Sequence, residues 1–226
     1  MEQKLNNSTT ADVATSSHTN GNTMLLAVVS SKLRPILFST EMVKAILEGR
    51  KTQTRRLLKL KGCKIVVPNK YFDMEKILKW NKDYFPYGKI GDILWVRETW
   101  QKSLNPNEFV YKADTDNPIY LDSNFKWKPS IFMPYAACRI FLKVTNIRVE
   151  KLQDISETDA INEGIEIVEQ INKVSFYKRY FGRNKNFTTA MPKYSYQTLW
   201  EKINGKESWD LNPYVWVIEF ERCSKP

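Results

Sequence analysis

Histidine and cysteine are scarce in this chain: one histidine and three cysteines in 226 residues. The histidine, His18, lies in a polar N-terminal stretch, which argues against His-ligated metal and against Ser-His or Cys-His nucleophile chemistry. Cys63, Cys138 and Cys223 are odd in number, widely spaced and without a C-x-x-C pair. They suggest neither a disulfide framework nor a zinc knuckle and fit a reducing compartment. No metal and no other cofactor is expected. The longest apolar run near the N-terminus, residues 24–29, falls far short of the roughly 20 residues of a membrane span and lacks the flanks of a secretory signal. A cytoplasmic location without a membrane partner is therefore expected. Neither G-x-x-x-x-G-K-[ST] nor G-x-G-x-x-G occurs, so the usual phosphate-binding loops are absent. Acidic residues are missing from two windows, between Glu48 and Asp73 and between Glu169 and Glu201. Both windows are dense in Lys and Arg, so two basic patches follow.

What the chain does have is positive charge and aromatic rings. Thirty-five Lys and Arg against 25 Asp and Glu leave a net charge of +10, and such a balance favours a polyanionic partner. Aromatic residues make up 13% and hydrophobic ones 42%, a composition that can bury a full core without covalent staples. One sizeable domain is expected over residues 34–222. Residues 1–33 form a polar, poorly ordered tail and 223–226 a short C-terminal one; a Ser, Thr and Asn-rich segment cannot offset its ordering entropy by burial.

The hydrophobic periods mix helices and strands. Ser39 or Thr40 caps a helix whose Met42, Val43, Ile46 and Leu47 share a face, and Gly49 ends it. Residues 51–59 read as an extended, charged segment. After an irregular aromatic insertion near 62–86, the turn at 87–92 leads into a buried strand at 93–96. Residues 139–149 read as a second strand, and 214–220 as a third with Tyr214, Trp216, Ile218 and Phe220 aligned. Ser156 caps a short helix that stops at Gly164, and Ser195 starts another that ends at Asn204-Gly205. Without a strict βαβ alternation, this favours an α+β fold, a small mixed β-barrel flanked by short helices with loop insertions, over a doubly wound sheet.

The segment Ile46-Leu47-Glu48-Gly49-Arg50-Lys51-Thr52-Gln53-Thr54-Arg55-Arg56 resembles the signature of the ASCH family, small PUA-like β-barrels associated with RNA. Gly91-Asp92 before an apolar strand, the stretch from Ile155 to Gly164 and the closing Ile218-Glu219-Phe220 add to the likeness. Over most of residues 35–222 the chain is also similar to ASCH-like proteins of phages and prophages, through blocks such as Leu94-Trp95-Val96-Arg97-Glu98-Thr99-Trp100 and Ser208-Trp209-Asp210-Leu211-Asn212-Pro213. A compact branch of the family removes the acetyl group of N4-acetylcytidine with a Lys, a Thr and a Glu. In that branch's motif these fall on Lys51, Thr54 and Glu163. The resemblance implies Thr54 as nucleophile, Lys51 as its base and Glu163 as proton donor.

Read as residues alone, each of the three has a second meaning. Lys51 lies just past a helix C-terminus, where cations are favoured by the dipole. Crowding by Arg50, Arg55 and Arg56, with partial burial, would lower its pKa and make it a usable base. Thr54 is a good strand former, and it differs in parity from Lys51, so a turn or bulge must intervene if both are to meet. Glu163 opposes the macrodipole at a helix end unless a cation offsets it. Arg50, Arg55, Arg56, Lys178, Arg179 and Arg183 are the candidate nucleic-acid contacts. The last three belong to a run that alternates cations with aromatics, as base-stacking surfaces do, or as a hairpin with its rings packed down would. Trp95, Trp200 and Trp216 are expected in the core, and Trp100, Trp127 and Trp209 near a pocket wall. Three functions stay open: amide hydrolysis on an acylated cytosine, non-catalytic binding of RNA or a modified nucleoside, and a phage-derived accessory or assembly role.

Overall fold

Strands that alternate large apolar residues on both faces must be covered twice, and the arrangement of this chain follows from that requirement. The computed structural model describes residues 31–59, 86–103, 105, 108–114, 126–180 and 187–226. Expectations for residues 1–30, most of the 62–86 insertion and Arg183 lie outside the described residues, while Leu33 and Cys223, expected in the tails, belong to strands at either end of the fold. Strand β1 (Leu33–Leu37) is followed by helix α1 (Thr40–Leu47), β2 (Gln53–Leu57), β3 (Ile93–Arg97) and the hairpin of β4 (Trp100–Lys102) and β5 (Phe109–Tyr111). Then come the long β6 (Phe141–Lys151), α2 (Glu157–Asn162), β7 (Ile167–Ile171), β8 (Val174–Lys178), β9 (Thr188–Thr189), α3 (Pro192–Asn204) and β10 (Tyr214–Cys223). Among the described residues the result is a mixed α+β architecture with three sheets, the largest ordered β1-β3-β6-β10-β2.

In that sheet β1 runs parallel to β3 and the other neighbours are antiparallel. Closing it would require β1 to pair with β2, and among the described residues no ladder joins them. A side chain crosses instead: Arg56 Nη2 donates to the carbonyl of Leu37 at 2.6 Å. On one face α1 packs Val43 and Ile46 against Ile36, Leu94, Leu142, Val144, Ile218 and Phe220. On the other, α2 and α3 bring Ala160, Tyr196 and Trp200 against Val215 and Val217. The alternation expected for β10 therefore captured one of two buried faces, and a bulge between Glu219 and Phe220 resets its register against β6.

Ser39 caps α1 by accepting from Met42 N–H, and Ser156 caps α2 by accepting from Asp159 N–H; such caps contribute ~1 kcal/mol each. Gly49 and Gly164 end those helices with φ of 76° and 84°. The start expected at Ser195 is three residues late, because Pro192 occupies the first turn of α3, where its missing N–H costs nothing. Ser195 is instead buried inside the helix, its hydroxyl donating to Lys178 O at 2.6 Å. No helix among the described residues is long and apolar enough to cross a membrane.

Candidate functional site

Where α1 ends, the chain turns sharply, with the N–H groups of Arg50 and Lys51 both donating to Ala45 O at 2.9 and 3.0 Å. Lys51 then forms an isolated antiparallel bridge with Glu163, at the end of α2. The close approach depends on Gly164: a Cβ there would sit 2.7 Å from Lys51 Cβ and 2.9 Å from Ala45 Cβ. Thr52 continues the link by donating its N–H to Asn162 O and accepting from Phe220 N–H, both at 2.9 Å. Only at Gln53 does β2 begin, so the parity that would set Lys51 and Thr54 on opposite faces of one strand does not govern this segment.

The bridge places a lysine amine against a carboxylate inside the protein. Lys51 Nζ donates to Glu163 Oε2 and to Glu163 O, each at 2.9 Å, and the two residues are 3% and 4% exposed. Burial drives the amine below the ordinary lysine value; Glu163 opposes the shift, and Arg56 and Arg55 reinforce it. Burial is thus the main cause, ahead of the neighbouring guanidiniums. Two acceptors use two of the amine's hydrogens, and the third position is a proton or a lone pair according to its charge.

Glu163 has a second cation. Arg55 Nη1 donates to Glu163 Oε1 at 3.0 Å, Nη2 to Asp159 Oδ2 at 3.0 Å, and Nε to Glu150 Oε1 at 3.1 Å. The network continues through Arg148, which pairs with Glu150 at 3.1 Å, with Asp159 at 2.8 Å and with Glu219. Burial works against the charge on Arg55, but the carboxylates of Glu163 and Glu150 hold its pKa above the ordinary arginine value. The carboxyl of Asp159 is also resisted by burial, and Arg55 and Arg148 hold it below the usual carboxylate range. Arg55 was expected among the cations facing a polyanion. That placement is corrected: its side chain is 0% exposed and ion-paired to three carboxylates, because it points between β2, β6 and α2 rather than to solvent.

Beside this network opens a cavity of about 700 Å³. Thr54 and Glu163 line it together with Tyr196, Trp200 and Trp216, and the cations Arg34, Arg55, Arg56 and Lys59 also border it. Thr54 and Glu163 therefore share one hollow, while Lys51 stands behind Glu163 and is not among the lining residues. Neither hydrogen bond of the Lys51 amine goes to Thr54. Burial, and then Glu163, raise the pKa of the Tyr196 hydroxyl well above the ordinary tyrosine value, so it enters the site as a neutral phenol.

The other basic candidates have structural partners. Arg50 donates to Gly164 O at 2.8 Å and to Glu48 Oε2 at 2.7 Å, Lys178 pairs with Glu166 at 2.5 Å, and Arg179 donates to the Tyr194 hydroxyl at 3.0 Å and lies over the rings of Phe187 and Tyr194. The tryptophan expectation is partly reversed. Trp100 and Trp209 are buried in core clusters, whereas Trp200, a core residue as expected, and Trp216, packed on the core, also form the wall. Spacing along a strand or helix cannot tell a ring packed on a neighbour from one packed on a hollow. Tyr196, Glu150, Arg148, Arg34 and Lys59 were not read from the sequence as site residues. The capping role of Ser156 and Asp159 was the one signal near them.

No family model and no curated protein matches the chain. A solved structure, protein EF3133 from Enterococcus faecalis V583, assigned to DUF984, is similar over 88% of this chain and 80% of that one, with 11% identity and a TM-score of 0.39. At that score the likeness carries no argument about this protein.

Proposed function

We propose that the cavity binds a nucleic-acid base and that the chain is an amidohydrolase acting on an acylated cytosine, in a frame of the PUA-like ASCH type. One observation carries the reading: Thr54 and Glu163 border the same aromatic-walled hollow, and a buried lysine amine with a lowered pKa is hydrogen-bonded to the Glu163 carboxylate. A planar base suits walls built from Trp200, Trp216 and Tyr196.

The chemistry balances with side chains and water. Thr54 Oγ1 adds to the acyl carbon while its proton passes to the Lys51–Glu163 pair. The C–N bond then breaks, the base amine leaves with that proton, and the acyl group stays on Thr54 as an ester. Water, deprotonated by the same pair, cleaves the ester, releasing acetate and restoring the hydroxyl. The pair acts as one acid-base unit, so the proton is assigned to both residues together. Direct transfer from Thr54 to Lys51 requires the amine to exchange one of its bonds to Glu163 for the hydroxyl.

Purified full-length protein should release cytidine and acetate from N4-acetylcytidine. Thr54→Ala and Glu163→Gln should each lower kcat by about a hundredfold or more, with unchanged thermal unfolding for Thr54→Ala. The rate should rise with pH along a limb below the ordinary lysine value of 10.5, as Lys51 loses its proton. Absence of turnover by folded protein removes this substrate.

The second reading, a non-catalytic module that holds a flipped base or RNA loop, is favoured by the cations at the cavity mouth. Base binding without product release would select it.

A further inference from the structure

We infer that the mouth of the cavity is an anion subsite, formed by Arg34, Arg56 and Lys59, that takes the phosphate of a nucleotide whose base lies against the aromatic wall. The inference rests on the base-binding reading above and extends it from a nucleoside to a phosphorylated ligand.

Three separate places in the chain supply cations to this one hollow: β1, β2 and the residues just past β2. The Nε of Arg34 and of Arg56, like that of Arg179 outside the cavity, is buried and has no hydrogen-bond partner. Those Nε atoms are covered, so the attraction for an anion in the cavity comes from the charge of the guanidiniums that border it. Lys59 makes no ion pair among the described residues.

The posture of Arg34 is built rather than incidental. Gly88, at φ 94°, leaves room for it: a Cβ there would lie 2.9 Å from Arg34 Nε and 2.4 Å from Asp92 Oδ2. Asp92 is 1% exposed and stands 3.7 Å from Arg34 Nε, a separation that attracts without forming a hydrogen bond. Its two oxygens already accept from the N–H groups of Lys32 at 3.0 Å and Lys89 at 3.1 Å. Arg56 is steered by its bond to Leu37 O and by the Phe38 ring, 5.2 Å from its guanidinium carbon.

The acid of the cavity does not cancel this field, since Glu163 has one oxygen on Arg55 and the other on Lys51. What faces the opening is net positive, with planar guanidinium forks suited to phosphate oxygens. A hollow of about 700 Å³ is the size of a single nucleotide-scale ligand, which commits the proposal to one nucleotide.

Titration calorimetry on the full chain tests it with cytidine, cytidine 5′-monophosphate, pyrophosphate and a ten-nucleotide oligocytidylate. The monophosphate should bind about tenfold or more tighter than cytidine. Arg34→Gln and Lys59→Gln should each pull that ratio towards one, while Arg34→Lys keeps part of it. Lys59→Gln serves as the control for folding, since Lys59 makes no ion pair or side-chain hydrogen bond among the described residues. Equal affinities for cytidine and its monophosphate overturn the subsite and leave the base reading standing. Pyrophosphate bound in an Arg34-dependent way, with cytidine unbound, keeps the subsite and removes the base reading. An oligonucleotide that binds far tighter than the monophosphate, and loses that margin in Arg34→Gln, keeps the subsite and names a strand as the source of its phosphate. No binding of any probe overturns both.

Discussion

Arg55 and Arg56 are neighbours on β2 and both border the cavity, yet one is paired to carboxylates and the other is not. Arg55 borders the cavity but belongs to a network where every strong charge meets its opposite: Lys51, Arg55 and Arg148 against Glu163, Glu150, Asp159 and Glu219. Arg56 lies at the cavity mouth, where one of its nitrogens is buried without a partner. Alternation along a strand sends successive side chains to opposite faces, so one dipeptide serves two regions. The difference separates charges that hold the fold from charges that remain available to a ligand. A fully paired arginine contributes through geometry, and an unmet one gains from whatever arrives.

The sharpest way to break the comparison is to remove Arg55. Arg55→Met leaves Glu163 buried on Lys51 alone and strips Glu150 and Asp159 of a partner, so it should lose about 3–5 kcal/mol of stability in urea unfolding. A loss as small as that of a surface substitution would mean the network is not the scaffold described here. Next is the turn that brings Lys51 to Glu163. Gly164→Ala adds a Cβ into Lys51 and Ala45 at a positive φ, and should cost about 1–3 kcal/mol by the same measurement.

On the mouth side the effect should be smaller. Arg56→Gln removes the bond to Leu37 O that links the two sheet edges, and should cost only ~0.5–1.5 kcal/mol while reducing affinity for cytidine 5′-monophosphate. A loss matching that of Arg55→Met would erase the distinction between the two arginines.

The smallest expected effect sharpens the network's pH behaviour. Asp159→Asn should cost about 1 kcal/mol at neutral pH, since its side chain is partly exposed. The folded pKa of Asp159 lies below the ordinary value of 3.8. Its contribution is therefore complete above 3.8, falls as pH drops towards the folded pKa while the unfolded chain takes up the proton first, and is gone below it. Wild type and Asp159→Asn should converge in stability across that acid window. A gap that stays constant with pH would assign the loss to something other than the charge.

Much of the framework was legible because it depends on local rules. Ser39, Gly49, Ser156 and Gly164 bound α1 and α2 by capping and left-handed geometry, which act within a few residues. The apolar strands at 93–96 and 214–220 show their period directly. The late start given to α3 reflects a proline at the first helical turn, where it terminates nothing. The second buried face of β10 was missed because alternation reports one face only when the other is wet. Lys51, Thr54 and Glu163 were singled out by resemblance to a family signature. Composition explains the excess of cations but not which of them are spoken for.

From the sequence alone came the mixed α+β character, the helix ends and the positive balance, each set by neighbours close along the chain. Tertiary structure alone decided that Lys51 bonds Glu163 rather than Thr54 and that Arg55 is locked among three carboxylates. It also decided that Trp200 and Trp216, rather than Trp100 and Trp209, line the cavity. These outcomes depend on residues more than a hundred positions apart meeting across β2, β6 and α2, and on burial, which no single segment can supply by itself.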